Sequence, residues 1–159
     1  QDVVSQGDPR WNTFGDLASV DGFVIHHTGG RGNVSGVINT FKERGYPAQY
    51  VIDRDGKIYQ TLPDGKQGRQ IKTSVDGKLN NTNTIGVEVI AKDDTDILPI
   101  QEEAATKLYD LLQKKYPDLG PDKVYGHGQI NTHKQATAGS TIAESFRNQY
   151  GNKKVASSE

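Results

Sequence analysis

The sequence contains no cysteine, and that single absence removes disulfides, thiolate metal ligands and a cysteine nucleophile. It does not fix the compartment, because many exported bacterial proteins also lack cysteine. A charge surplus is missing too: 19 Lys and Arg against 20 Asp and Glu leave a formal net charge of -1. Binding to a phosphate backbone needs a concentrated basic face, so nucleic acid is not an expected partner. No apolar run approaches the roughly 20 residues of a membrane-spanning helix, so no membrane insertion is expected. Tryptophan occurs once, as Trp11, and histidine four times. The first residue is Gln1 rather than Met. A removed signal peptide and a chain that simply starts there both fit.

What is present describes an ordinary folded chain. Its 159 residues, 33% hydrophobic and 25% charged, suffice for one domain with one core and carry no sign of wholesale disorder. Residues 1–21 are polar and read as an irregular N-terminal arm, residues 22–150 as the domain, and residues 151–159 as a frayed tail. The short apolar run Gly22-Phe23-Val24-Ile25-His26 predicts a buried strand leading into the glycine-rich loop Thr28-Gly29-Gly30-Arg31-Gly32. Val34, Val37, Ile38 and Phe41 share one helix face, and Gly45 stops that helix. Asp53-Arg54-Asp55-Gly56 between Tyr50-Val51-Ile52 and Lys57-Ile58-Tyr59-Gln60-Thr61 predicts a hairpin.

The polar stretch Pro63 to Asn83 reads as a long loop of the kind that carries function. Thr84 to Ala91 predicts a strand interrupted in its apolar character by Glu88. Pro99 to Tyr116 is the clearest helix, with Ile100, Ala104, Ala105, Leu108, Leu111 and Leu112 assigned to its buried face. Lys123 to Gly126 predicts a final strand, and Ile142, Phe146 and Tyr150 a last amphipathic helix. Alternating helices and strands point to an α/β fold, a single layered domain with a central mixed sheet flanked by helices.

Four candidate residues stand inside or at the ends of predicted strands. His26 and His27 close one strand and His127 follows another. Strand ends bring distant side chains onto one rigid rim. Imidazole suits zinc, and a catalytic zinc usually takes three protein ligands and a water. Adjacent strand residues point to opposite faces, so only one of His26 and His27 can serve a given site, and spacing does not choose between them. The alternative is that these are satisfied structural histidines. Glu88 shares a strand face with Gly86 and Ile90, opposite Val87 and Val89. It is either a solvated carboxylate or a general base beside a metal-activated water.

Taken together, these segments carry a resemblance. Phe23-Val24-Ile25-His26-His27-Thr28-Gly29-Gly30 resembles the "VIHHTAG" opening of the type 2 N-acetylmuramoyl-L-alanine amidases. That family includes phage endolysins, bacterial amidases and peptidoglycan recognition proteins. The segment Tyr50 to Gln60 is similar to its central hairpin, Asn83-Thr84-Ile85-Gly86-Val87-Glu88 to its "NxxxIGIE" strand, and Tyr125-Gly126-His127 to its "GH" segment. The matches follow family order from about Gly22 to Phe146.

The resemblance implies an amidase/peptidoglycan recognition protein-like fold and zinc held by His26 and His127, with His27 packed behind. It implies Glu88 as the base, because Ala48 occupies the position of the catalytic tyrosine used by another branch. Lys134 is the implied oxyanion-stabilising cation, with a solvated surface lysine as its alternative. By loop placement, residues 28–33, with Thr28, Gly29 and Gly30 at their start, and the 63–83 loop are expected to line a groove for glycan and stem peptide. The reaction implied is hydrolysis of the amide between N-acetylmuramic acid and L-alanine, on peptidoglycan, by a protein that is secreted, periplasmic or phage-encoded and acts on the cell wall.

One position departs from the pattern. The family's third zinc ligand (Cys, Asp or Glu) precedes a glycine, whereas this chain reads Thr137-Ala138-Gly139. Alanine cannot coordinate a metal. Three readings stay open: an inactivated variant carrying a Glu-to-Ala change, substitution by His133, or a natural peptidoglycan-binding module without catalysis.

Overall fold

The computed structural model describes residues 3–5, 15–71, 74 and 77–126. Positions of interest at His127, His133, Lys134 and Ala138, and the helix expected around Ile142 to Tyr150, lie outside them.

A six-stranded mixed sheet organises the domain, in the order β1-β4-β3-β5-β2-β6. Its strands are β1 (Val3–Ser5), β2 (Gly22–His27), β3 (Tyr50–Ile52), β4 (Ile58–Gln60), β5 (Thr84–Val89) and β6 (Val124–Gly126). β2 lies between β5 and β6 and runs parallel to both. A central parallel strand is covered on both faces, which is why β2 reads as an unbroken apolar run.

The β3–β4 pair is the antiparallel hairpin expected from its Asp-Gly turn. Gly56 takes φ +84°, and a Cβ there would lie 2.8 Å from Ile100 Cγ1, so the turn and the close approach both need glycine. Residues 15–21 carry only an isolated bridge, Asp16 to Lys66. The expectation of a wholly irregular arm is corrected at Val3–Ser5. These residues pair in parallel with Ile58–Gln60 and extend the sheet by one edge strand.

Two helices arise where the apolar spacing places them. α1 (Val34–Arg44) is capped by Asn33, whose side chain accepts from Gly36 N, and ends at Gly45 in the left-handed conformation. It buries Val34, Ile38 and Phe41 against Ala48, Val51, Leu62 and Ile90. α2 (Pro99–Lys115) starts with proline at its first turn and packs on the other face of the sheet.

The buried face of α2 differs from the expected one. It comprises Gln101, Ala104, Ala105, Leu108, Tyr109 and Leu112, an i, i+3, i+4 series. Ile100 and Leu111 are 47% and 43% exposed. Gln101 is buried despite its polarity because every arm of its amide is used. It accepts from Leu98 N and donates to Ile90 O and Asp53 O, joining the helix start to the ends of two strands.

Strand alternation then sorts the central side chains. Phe23, Ile25, Ile85, Val87 and Val89 face α2 in the larger core. On the opposite face, one apolar patch lies under α1 and another gathers Val24, Ile71 and Leu79. Gly86, Glu88 and His26 occupy that same face by alternation. The polar strip they form is held between two apolar patches.

Candidate functional site

The parallel register of β2 and β5 pairs His26 with Glu88. Both side chains therefore leave the sheet on the same face from neighbouring strand ends. His26 Nδ1 and Glu88 Oε2 are 3.9 Å apart, too far for a hydrogen bond, with side-chain exposures of 6% and 19%. A buried imidazole beside a mostly buried carboxylate, both on rigid strands, is a donor set suited to a cation and to proton transfer. His27 leaves the strand on the other face. Spacing leaves the two histidines equivalent, and the strand register puts His26, not His27, on the face of Glu88.

Gly126 pairs with Ile25 in the β2–β6 register. The chain thus leaves β6 beside the strand end that carries His26, one residue before the predicted second ligand. Among the described residues no group of three or more His, Asp or Glu side chains gathers in metal-binding geometry. Of the predicted metal ligands and catalytic groups, His26 and Glu88 lie among the described residues, and His127 and Lys134 lie outside them.

Gln70 is a member of the site that sequence reasoning missed. Its Oε1 lies 2.5 Å from His26 Nε2, and its Nε2 donates to Thr84 Oγ1 at 2.8 Å. Gln70 belongs to the 63–83 loop, so that loop does reach the strand face expected to hold the chemistry. A Cβ on Gly86 would meet Gln70 Oε1 at 2.3 Å. Glycine at 86 is what lets the glutamine lie across the strand. The signal available in the sequence is Gly86 itself, since a glycine inside a strand marks a place of close approach without pointing to what approaches.

Gln49 completes the floor. The sheet pairing of β3 with β5 begins at Tyr50 opposite Val87. One residue earlier, the Gln49 side chain takes over, accepting from Gly86 N at 2.8 Å and donating to Thr84 O at 3.3 Å. The amide acts as a short extension of the ladder where the backbone has already turned away.

The glycine-rich loop lies beyond the end of β2. Thr28 N donates to Val89 O and Gly29 N to Ala91 O. The Thr28 hydroxyl bonds to Gly30 O at 2.9 Å and accepts from Ala91 N at 3.3 Å, so it ties the loop to the segment after β5. Around Gly29 and Gly30 no atom of the described residues lies within 4 Å of an added Cβ.

Asp96 anchors the far side of this loop. It accepts the one Arg31 Nε hydrogen, shared between its two oxygens at 2.9 and 3.1 Å, a further contact from an Arg31 terminal nitrogen, two from Arg54 at 3.2 and 3.4 Å and one from Lys92 N at 2.9 Å. The hydrogen bond from Arg31, then that from Lys92 N, hold its carboxyl well below the usual carboxylate range.

Comparison with known proteins gives this arrangement its context. The model of a family described as N-acetylmuramoyl-L-alanine amidase matches residues 16–139. No curated protein matches the chain. Among solved structures, a selenomethionine derivative of AmpD has a TM-score of 0.70 at 18% identity, covering 91% of this chain and 94% of that one. The N-acetylmuramoyl-L-alanine amidase LysC from Clostridium intestinale URNW gives 0.65 at 20% identity, with 81% and 84% covered. Drosophila peptidoglycan recognition protein SD gives 0.63 at 16%, with 88% and 93% covered. At such identities these likenesses establish the shared fold. With the family model running through both central strands and well over half the sequence, the chain belongs to the type 2 N-acetylmuramoyl-L-alanine amidase family.

Proposed function

We propose that this chain binds peptidoglycan and carries the framework of a zinc-dependent amidase that cuts between N-acetylmuramic acid and L-alanine. The single observation that carries the reading is the pairing of His26 with Glu88 across β2 and β5, on one face and 3.9 Å apart. In this reading His26 and His127 hold zinc. Zinc, when bound, supplies Lewis-acid polarisation of the scissile carbonyl and makes water a stronger acid. Glu88 takes the proton of the attacking water and returns it to the leaving amine of L-alanine. Its partial burial restricts competing solvent. Lys134 offers a positive charge to the carbonyl oxygen as negative charge develops there. Thr28, Gly29 and Gly30 bound one side of the groove, with glycan and stem peptide lying over the open backbone and the 63–83 loop. The protein acts on the cell wall, whether exported by a bacterium or encoded by a phage.

Ala138 favours a second reading for the chain as it stands: a peptidoglycan-binding module whose hydrolysis is lost for want of a third ligand. Metal analysis of the full chain beside its Ala138→Glu form separates the two. The proposal expects stoichiometric zinc and release of stem peptides from Ala138→Glu, with zinc binding reduced at least tenfold in the unaltered chain. Adding Glu88→Gln to the Ala138→Glu chain is expected to abolish turnover while zinc stays bound. Retained turnover in that double variant removes Glu88 as the base.

A further inference from the structure

The hydrogen bonds around Gln70 determine which nitrogen of His26 carries the proton. The backbone carbonyl oxygen of Asn80 can only accept. Thr84 Oγ1 lies 2.8 Å from it and must donate its one hydrogen there. The same hydroxyl oxygen lies 2.8 Å from Gln70 Nε2, so it accepts from the amide nitrogen. The reversed amide would set two acceptors against each other at that distance. Gln70 Oε1 is thereby turned to His26 Nε2, at 2.5 Å. An amide oxygen has no hydrogen to give, so the imidazole must supply it.

We propose that Gln70 is a positioning residue that fixes neutral His26 in the tautomer with hydrogen on Nε2 and the lone pair on Nδ1, the nitrogen facing Glu88. The glutamine is itself held in place. Its backbone N and that of Ile71 both donate to Asn81 Oδ1, at 3.1 and 3.2 Å, and Gly86 leaves the space its amide occupies. A ring whose second nitrogen donates to a fixed acceptor is oriented and made a stronger ligand at the other nitrogen. The link to metal rests on the reading of His26 as a zinc ligand; the tautomer does not.

The two parts are tested separately. Nitrogen-15 correlation spectra of the metal-free full chain at neutral pH report the His26 tautomer directly. The expected spectrum has a protonated Nε2 and an unprotonated Nδ1. A protonated Nδ1 in the neutral ring, or an even mixture, overturns the assignment. Gln70→Leu removes the acceptor and Gln70→Glu keeps one. In the Ala138→Glu background, calorimetry is expected to show zinc affinity about 10–100-fold weaker for Gln70→Leu and close to the parent for Gln70→Glu. Equal affinity and an unchanged tautomer in Gln70→Leu overturn the positioning role. A chain that shows the Nε2–H tautomer yet binds no zinc upholds the Gln70 assignment and removes the zinc reading instead.

Discussion

Gly86 bears the tightest steric requirement in the site. A Cβ added there would stand 2.3 Å from Gln70 Oε1 and 2.4 Å from its Cδ, distances that side chains do not tolerate. Gly86→Ala is therefore expected to displace Gln70 from His26 and Thr84 together. Losing the hydrogen bonds to those two partners costs about 0.5–1.5 kcal/mol each, to be read from denaturant unfolding. The His26 proton distribution should change alongside, and an unchanged tautomer with full stability would show that the glutamine has another place to go.

Strand alternation separates His26 from His27 and sets Glu88 apart from Val87 and Val89, but it does not say which histidine shares a face with Glu88. The pairing between them needed the register of β2 on β5, which no local pattern carries. Gln70 was not legible at all. It lies in an irregular loop without periodicity, and its partner His26 is 44 positions away.

At the scale of elements, Asp96 holds three segments together: the loop after β2 through Arg31, the β3–β4 turn through Arg54, and the chain after β5 through Lys92 N. Its folded-state pKa is depressed, first by the Arg31 hydrogen bond. A depressed carboxyl stabilises the fold above its unfolded pKa of about 3.9, and that contribution is lost as pH falls toward the folded value. Asp96→Asn is accordingly expected to lower stability at neutral pH, with the gap to the parent narrowing as pH drops below about 4. Thermal unfolding at a series of pH values measures this. A gap that widens on acidification contradicts the sign.

The elements themselves were largely readable. Asn33 and Gly45 frame α1, and the Asp-Gly turn marks the hairpin. On α2, hydrophobicity misplaced the buried face, because Ile100 and Leu111 point outward while Gln101 and Tyr109 turn in. Their polar atoms find partners, Gln101 at Ile90 O and Tyr109 at Leu119 O. Burial there is set by hydrogen-bond satisfaction as much as by apolar area. β1 was missed since three residues give no alternation to detect, and their pairing is with a distant strand.

For the whole molecule, the arrangement divides labour between the two faces of one sheet. The α2 face is filled by a continuous apolar core. The α1 face carries two apolar patches with Gly86, Glu88 and His26 between them. Parallel strands β2, β5 and β6 run in the same direction, so their carboxyl ends deliver residues from distant parts of the sequence to one rim. That topology, more than any single motif, explains how a domain without cysteine brings a histidine and a carboxylate together on one sheet face. The claim is most directly tested by mass analysis of the fragments released from purified peptidoglycan by the Ala138→Glu chain with zinc. The account predicts stem peptides that begin with free L-alanine, together with glycan bearing unsubstituted muramic acid carboxyl groups, and neither product when Glu88→Gln is added. Cleavage inside the stem peptide, or no release by a chain shown to hold zinc, would contradict it.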